Sequence, residues 1–129
     1  MAENNGSASF DRMTVQYQKK PCYDIVFRDS FDSLREEMQQ LSITDRKLCI
    51  VTDSNVEKRY SDQIRHLLEK DCRQVDVFVF PEGESSKNLN TISDLYRFLI
   101  AHSYTRRDML VALGGGVTGD MTGFAAATY

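Results

Sequence analysis

No stretch of this 129-residue sequence is apolar for the roughly 20 residues that a transmembrane helix needs. The first ten residues are small and polar, and they lack the charged start followed by an apolar run that marks a secretory signal. An excess of positive charge is also missing, because 16 Lys and Arg residues face 19 Asp and Glu residues, for a net charge of −3. No basic field is therefore available to attract nucleic acid or an anionic membrane. These absences predict a cytoplasmic protein with neither nucleic acid nor membrane as a partner.

Paired metal-binding or redox residues are scarce as well. The three cysteines, Cys22, Cys49 and Cys72, lie far apart and form no C-x-x-C pair, so we interpret them as structural thiols. The two histidines, His66 and His102, fall on predicted helices with no partner at ligand spacing. We expect both to be surface or hydrogen-bonded histidines rather than metal ligands.

The length and composition predict one modest globular domain with no room for a second of ordinary size. Residues 1–11 are rich in Ala, Asn, Ser and Gly without periodicity, which predicts a disordered tail ahead of an α/β domain over residues 12–129. The sequence stops at Tyr129 about a dozen residues into its last predicted helix, without a Gly, Asn or Pro to end it. We therefore expect this domain to be truncated, with a C-terminal metal and substrate domain absent.

Hydrophobic periodicity alternates regularly between strand and helix. Apolar residues alternate at Val15 and Tyr17, and again at Tyr23, Ile25 and Phe27, which predicts a pair of strands connected through residues 19–21. Beyond them the pattern predicts helices over residues 31–41, 56–68, 89–100 and 117–125, and strands over residues 48–51, 75–80 and 109–113. The continuously apolar strand at 48–51 suits a sheet covered on both faces. The order predicts an α/β fold with an open, mostly parallel, Rossmann-like sheet and helices on both faces.

The last strand is followed by the strongest functional motif. Gly114, Gly116 and Gly119 satisfy the G-x-G-x-x-G spacing, with a strand before them and a helix after them. Glycine lets the backbone approach a ligand closely, so that successive amides and the helix dipole can hold a pyrophosphate. The motif favours phosphate or dinucleotide binding over a merely tight turn.

Asp120 does not suit an ordinary dinucleotide site. We place it in the first turn of the last helix, where a carboxylate favours the helix dipole but repels a phosphate on the same amides. It serves either as helix charge compensation or as a residue that faces the nicotinamide, its ribose or the reacting carbohydrate. The motif also follows the last strand of the sequence, whereas a dinucleotide fingerprint normally follows the first.

Two further strand ends carry polar residues. Residues 82–87 follow the strand that ends at Phe80; they are either a turn with an N-cap serine, or carboxylates for a ribose or adenine with Lys87 for a phosphate. Asp53, Ser54 and Asn55 follow the strand that ends at Val51. An acidic residue there commonly binds ribose hydroxyls, but Asp53 or Ser54 could equally cap the next helix.

Two stretches together resemble the signature sequences of the 3-dehydroquinate synthase family. They are PEGESSKNLNT at residues 81–91 and GGGVTGDMTGFAAATY at residues 114–129, and the resemblance extends over about residues 24–129. It implies an NAD-dependent, zinc- or cobalt-assisted enzyme of the shikimate pathway, in chorismate and aromatic amino acid biosynthesis. Such a lyase converts the sugar phosphate 3-deoxy-D-arabino-heptulosonate 7-phosphate to 3-dehydroquinate and phosphate.

The resemblance also implies which residues contact NAD: Asp53, Ser54, Asn55, Glu82, Gly83, Glu84, Ser85, Ser86, Lys87, Gly115, Gly116, Val117, Thr118, Gly119 and Asp120. It places no catalytic residue and no metal ligand in this sequence, so the chain alone is expected to be inactive. It leaves open whether the protein pairs into a homodimer. Two alternatives remain, a glycerol-type NAD-dependent metal alcohol dehydrogenase and a non-catalytic nucleotide-binding module.

Overall fold

The computed structural model describes residues 11–129, and the chain divides into two compact units, one up to Asp32 and one from Ser33 onward. Residues 1–10 of the predicted tail lie outside the described residues. Asp11 is described, and its backbone carbonyl accepts a hydrogen bond from the Phe27 amide at 2.8 Å. The domain limits drawn from the sequence stay a prediction.

The first unit contains an antiparallel hairpin, which confirms the predicted strand pair. Its strands are β1 (Arg12–Tyr17) and β2 (Lys20–Val26). Gln18 and Lys19 connect them with φ of 49° and 64°, the left-handed conformation that a two-residue hairpin turn requires. The turn is tighter than the sequence suggested, since Pro21 lies inside β2 rather than in the connection.

The second unit is a three-stranded parallel sheet with helices, and it confirms the predicted fold class. The strands lie in the order β4-β3-β5, and both neighbouring pairs are parallel. Its elements are α1 (Leu34–Gln39), β3 (Lys47–Asp53), α2 (Ser54–Val56), α3 (Asp62–Leu68), β4 (Gln74–Phe80), α4 (Leu89–Ala101), β5 (Met109–Leu113) and α5 (Gly116–Thr128). Within residues 11–129, no helix is both long enough and apolar enough to cross a bilayer.

The central strand β3 is buried on both faces, as its continuous apolar run predicts. Successive side chains point to opposite faces of the sheet. Cys49 and Val51 belong to a core cluster formed with α4 and α5, while Leu48 and Ile50, which point the other way, are equally buried. Burial raises the pKa of the Cys49 thiol to about 12. Helices therefore cover both faces, and this thiol is structural, as expected.

Three details of the predicted helices are wrong. The first helix spans only α1, and Leu41, assigned to its apolar face, is 52% exposed. Ser42 follows with a left-handed φ of 56°, which a continuing helix could not accommodate. In α4, Leu89 and Ile100 were assigned to the buried stripe but are exposed. Phe124 of α5, also assigned to a buried stripe, is 47% exposed.

The helical segment after β3 contains a π-helical turn that the periodicity did not predict. The turn spans Glu57–Ser61, between α2 and α3. An i→i+5 turn holds an extra residue, so the apolar stripe does not continue through it. Tyr60, placed on the buried stripe by the sequence pattern, is therefore 41% exposed, whereas Ile64 and Leu68 are 1% exposed.

At the amino ends of the strands, Tyr104 joins the loop after α4 to the sheet. Its hydroxyl lies 2.9 Å from the Leu48 carbonyl oxygen and 2.7 Å from an Asp76 carboxylate oxygen, so it touches both β3 and β4. Tyr104 is 6% exposed, and burial raises the pKa of its phenol. The Tyr104 side chain therefore connects the loop after α4 to β3 and β4 through buried polar contacts.

Asp108, just before β5, makes a second connection at the same end. One carboxylate oxygen accepts from the Lys47 amide at 2.9 Å, and the other accepts from the Thr105 amide at 2.7 Å. Burial alone would raise the pKa of Asp108, but these amide hydrogen bonds outweigh burial, and the pKa is lowered. The Asp108 carboxylate thus connects the start of β3 to the loop before β5.

Candidate functional site

The three predicted strand-end sequences meet at one edge of the sheet. Because β3, β4 and β5 are parallel neighbours, their carboxyl ends lie side by side, followed by residues 53–55, 81–87 and 114–120. Two side chains connect these loops. The Ser54 hydroxyl accepts from the Glu82 amide at 3.0 Å, and the Lys87 ammonium lies 2.9 Å from an Asp120 carboxylate oxygen.

The glycine turn, which we define as residues 114–116, leads from β5 into α5. Gly115 is the N-cap of α5, in an extended conformation with φ −88° and ψ −157°. No heavy atom lies within 4 Å of the position that a Cβ would take at Gly115, Gly116 or Gly119, apart from chain neighbours and the helix backbone. All three residues are exposed. The surface of the turn is therefore open to a ligand.

Gly114 has a different role from the other glycines of the turn. A Cβ on Gly114 would lie 2.6 Å from the Thr118 side-chain hydroxyl oxygen, which is closer than atoms tolerate. Thr118 is 1% exposed and has little space to move. Gly114 thus allows the turn to pack against the buried side chain of Thr118.

The three helices at this edge begin differently. The Asp53 carboxylate caps α2, accepting from the amides of Asn55 and Val56 at 2.9 Å each. The Asn88 side chain caps α4, accepting from the Thr91 amide at 2.9 Å. The start of α5 receives no side-chain cap. The first amides of α5, unlike those of the other two helices, are left for water or for a ligand.

Asp120 does not lie where the sequence analysis placed it. It is the fifth residue of α5 and so belongs to the second turn, because the helix begins at Gly116, one residue before the predicted start. The hydrogen bond and negative charge of Asp120 raise the pKa of Lys87. The two side chains are 66% and 42% exposed, so the pair is a solvated contact. Asp120 thus lies beyond the first turn of α5, and it pairs with the Lys87 ammonium that the sequence analysis predicted to meet a phosphate.

Residues 82–87 form a compact turn that ends in a 3-10 segment, Glu84–Ser86. Gly83 has φ of 105°, a conformation that side chains other than glycine rarely adopt. Ser86 is 7% exposed and donates to the Pro81 carbonyl, whereas the other five residues of the loop are exposed. The predicted N-cap serine is wrong, because Asn88 caps the helix.

Sequence reasoning missed Thr52, although it lies beside the site. Thr52 is 0% exposed, and its hydroxyl donates to the Leu113 carbonyl at 2.8 Å, which connects the ends of β3 and β5. A polar residue at the end of an otherwise apolar, buried strand was the available signal.

The described residues do not form a metal-binding cluster. Residues 11–129 contain no group of three His, Cys, Asp or Glu side chains placed to hold a metal ion. The Nδ1 atoms of His66 and His102 bond to backbone carbonyl oxygens of their own helices, at Asp62 and Phe98. These histidines are hydrogen-bonded within the fold, as the sequence analysis expected.

Two cavities lie at opposite ends of the sheet. One of about 380 Å³ is lined by Lys87 and Asp120 together with apolar side chains of α4 and α5, including Ile92 and Met121. The other, of about 470 Å³, lies near Tyr104 at the amino ends of the strands. Predicted site residues line the smaller of these two cavities and not the larger one. Cavity volume therefore does not indicate which end of the sheet carries the candidate site.

Comparison with known proteins gives consistent matches. Residues 77–129 match the family model described as 3-dehydroquinate synthase N-terminal. The chain is 40% identical over 119 residues to a 3-dehydroquinate synthase of Streptococcus suis strain 05ZYH33, covering 92% of the chain and 33% of that protein. It is 49% identical over 84 residues to that of Streptococcus pneumoniae strain Hungary19A-6, covering 65% and 24%. The chain thus spans about a third or less of the length of these curated relatives.

Solved structures agree with the sequence matches. The chain is similar to 2-deoxy-scyllo-inosose synthase complexed with carbaglucose-6-phosphate, NAD+ and Co2+, with a TM-score of 0.67 and 28% identity over 74% of this chain and 26% of that one. A second structure of 2-deoxy-scyllo-inosose synthase gives a TM-score of 0.69 at 28% identity, over 75% and 28%. The fold over this part of the chain is therefore shared with an enzyme solved with NAD+.

Proposed function

This chain belongs to the 3-dehydroquinate synthase family, and we propose that it supplies the NAD-binding part of an enzyme that forms 3-dehydroquinate and phosphate from 3-deoxy-D-arabino-heptulosonate 7-phosphate. The observation that carries the proposal is the start of α5, which is bare of side chains and uncapped, while the neighbouring helices are capped. An uncapped helix N-terminus reached over glycines is an anion-binding site.

The glycine turn would hold the diphosphate of NAD. The amides of Gly116, Val117 and Thr118 precede the first intrahelical bond of α5, which the Gly119 amide makes to the Gly115 carbonyl at 3.0 Å. They therefore have no partner within the helix, and the positive end of its dipole favours a negative group. The open space at the glycines lets such a group approach the backbone.

The other two loops would bind the sugar and base portions of NAD. Asp53 caps α2 through one carboxylate oxygen only, which leaves the second for a ribose hydroxyl. Glu82 and Glu84 are exposed acceptors on the adjoining loop. Asp120 and Lys87 would adjoin the nicotinamide side, where a charged pair can orient an amide or a ribose.

NAD, when bound, would supply a transient hydride acceptor, and the residues of this chain bind and orient it. We assign no catalytic residue and no metal ligand to residues 11–129. The divalent metal, zinc or cobalt, and the sugar phosphate would be held by other residues of the enzyme. A cytoplasmic location in the shikimate pathway, and assembly as a homodimer, belong to the same proposal.

Calorimetry of the chain with NAD, ADP-ribose and inorganic phosphate tests the binding step. We expect weak binding of NAD and of ADP-ribose, since both carry the diphosphate. Gly116→Val should abolish this binding without unfolding the chain, because its Cβ position is open. Gly123→Val is the matched control, since its Cβ position is equally open farther along α5. The proposal would be contradicted if the chain bound neither NAD nor ADP-ribose. It would also be contradicted if the Gly116→Val and Gly123→Val variants bound these ligands equally.

A coupled assay tests whether the chain by itself contains catalytic groups. The chain alone, given NAD and the sugar phosphate, should neither release phosphate nor accumulate NADH. Accumulation of NADH with glycerol would instead favour the alcohol dehydrogenase alternative. Phosphate release by the isolated chain would show that it contains catalytic groups that the proposal places elsewhere.

A further inference from the structure

Thr52 is a buried polar residue at the end of an apolar strand. It is 0% exposed, as are Leu48, Cys49 and Ile50 of the same strand. Burying a hydroxyl is unfavourable unless it is hydrogen-bonded. Thr52 meets this requirement by donating to the Leu113 carbonyl at 2.8 Å. A valine of the same shape would satisfy packing, so the hydroxyl serves something other than filling the core.

The acceptor of this bond lies directly before the glycine turn. Thr52 and Leu113 are the last register partners of β3 and β5, so Gly114 has no partner on β3 in the ladder. The Leu113 carbonyl is therefore the last backbone group of β5 that β3 holds. Glycine residues restrict the backbone least, so the direction of the turn depends on how its first anchor is fixed.

On its other side the turn is limited by Thr118. The close approach of Gly114 to the Thr118 side chain sets how near the turn lies to α5. Two buried threonines, one from β3 and one from α5, thus lie against the first part of a segment with little conformational preference of its own. The amides that the turn presents depend on both contacts.

We propose that Thr52 is a positioning residue for the cofactor turn, because its hydroxyl holds the Leu113 carbonyl and thereby orients the amides of residues 114–116. The inference rests on the proposed function, and it adds a residue that touches no ligand itself. The Thr52 hydroxyl acts through one hydrogen bond to the backbone.

Thr52→Val and Thr52→Ser separate positioning from packing, because valine keeps the volume and loses the hydroxyl, whereas serine does the reverse. We expect valine to weaken NAD and ADP-ribose binding about tenfold, equivalent to roughly 1.4 kcal/mol. Serine should remain within about twofold of the parent chain, well under 1.4 kcal/mol. Thr122→Val is the matched control. Thr122 is 5% exposed and donates to the Thr118 carbonyl at 2.7 Å, but lies within α5.

Amide NMR spectra of the chain without ligand give a readout independent of NAD. The resonances of Gly114, Gly115 and Gly116 should move in Thr52→Val and stay in place in Thr52→Ser and Thr122→Val. Unmoved glycine resonances in the valine variant overturn the inference. The inference is also overturned if Thr52→Val keeps full affinity for NAD, or if Thr52→Ser loses it. The Thr52→Ser result remains decisive even if the Thr52→Val chain does not fold. If the parent chain binds neither NAD nor ADP-ribose, the proposed function fails, while the glycine resonances still decide whether Thr52 holds the turn.

Discussion

The two ends of the parallel sheet are built in opposite ways. At the amino ends of the strands, the side chains of Tyr104 and Asp108 bond to backbone groups of β3 and the loop before β5. At the carboxyl ends, β5 runs into a turn where Gly115 and Gly116 leave amides uncovered. The amino end pairs these backbone groups with side chains, whereas the carboxyl end leaves the first amides of α5 without a side-chain partner.

This difference separates stability from binding within one sheet. Buried hydrogen-bonded side chains stabilise the folded state, since removing one leaves its partner unsatisfied. Open amides at a helix start contribute little to folding but can bind an anion. Substitutions at the amino end should therefore change the free energy of unfolding, and those at the carboxyl end should change NAD affinity. The four predictions below test that division.

Gly114→Ala should break the division most strongly, since this glycine belongs to the carboxyl end yet is tightly packed. The added Cβ would overlap the buried Thr118 side chain, and overpacking of this kind costs about 3 kcal/mol at the upper end of its range. Urea denaturation measures the loss. Gly123→Ala, on an open face of α5, should instead stabilise by up to about 1 kcal/mol. Equal stability of the two variants would show that the close approach is wrong.

Tyr104→Phe should lower the unfolding free energy by about 2 kcal/mol, because the buried Leu48 carbonyl and the half-buried Asp76 carboxylate lose their hydroxyl partner. NAD affinity should stay the same, since the residue lies at the far end of the sheet. Tyr96→Phe is the control, as its hydroxyl bonds only to the exposed side chain of Thr128. A Tyr104→Phe chain that keeps its stability, or loses NAD affinity, would contradict the division.

Acid should weaken the amino end through Asp108. The pKa of Asp108 is lowered in the folded chain, so its carboxylate stabilises the fold above the unfolded value, about 3.9. That stabilisation is lost as the pH falls through the lower, folded value. Asp108→Asn should therefore flatten the decline in unfolding free energy below about pH 4, by less than the Tyr104→Phe effect because Asp108 is partly exposed. An Asp108→Asn chain whose unfolding free energy declines as steeply as that of the parent would contradict this role.

Gly115→Ser should have the smallest effect on stability and a clear effect on binding. Gly115 has the extended conformation of an N-cap, so a serine hydroxyl can cap α5 and stabilise it by about 0.3 kcal/mol. The same hydroxyl then occupies amides proposed to bind NAD, and calorimetry should show weaker NAD binding. Gly123→Ser introduces the same side chain without that effect. A Gly115→Ser chain with unchanged affinity would show that these amides are not the binding groups.

The sheet and the glycine turn could be predicted because their signals are local. The apolar run that begins at Leu48 and the G-x-G-x-x-G spacing from Gly114 each lie within a few residues. Parallel order then brings the strand ends together without further information. The edge that carries the candidate site was thus predictable from the sequence.

The contacts that shape the site could not be predicted, since they join residues far apart. Lys87 and Asp120 are 33 positions apart, and Thr52 and Leu113 are 61 apart. Hydrophobic periodicity does not indicate which polar residues will contact one another in the fold. Asp120 was also assigned to the wrong turn, because the three glycines gave no sign that the helix begins at Gly116 rather than at Val117.

The π-helical turn at Glu57–Ser61 makes one part of the chain tolerant of a change in length. Deleting Arg59 would convert the turn to ordinary α-helical pitch and keep Ile64 and Leu68 against the sheet. Deleting Arg97 from α4 would instead rotate the two halves of this helix relative to each other by about 100°. Either Leu95 in the first half or Leu99 in the second would then turn away from the core. Thermal melting of the two deletions measures the contrast. Over evolutionary time, loss of a single codon could be absorbed at the π-helical turn and would be eliminated in α4.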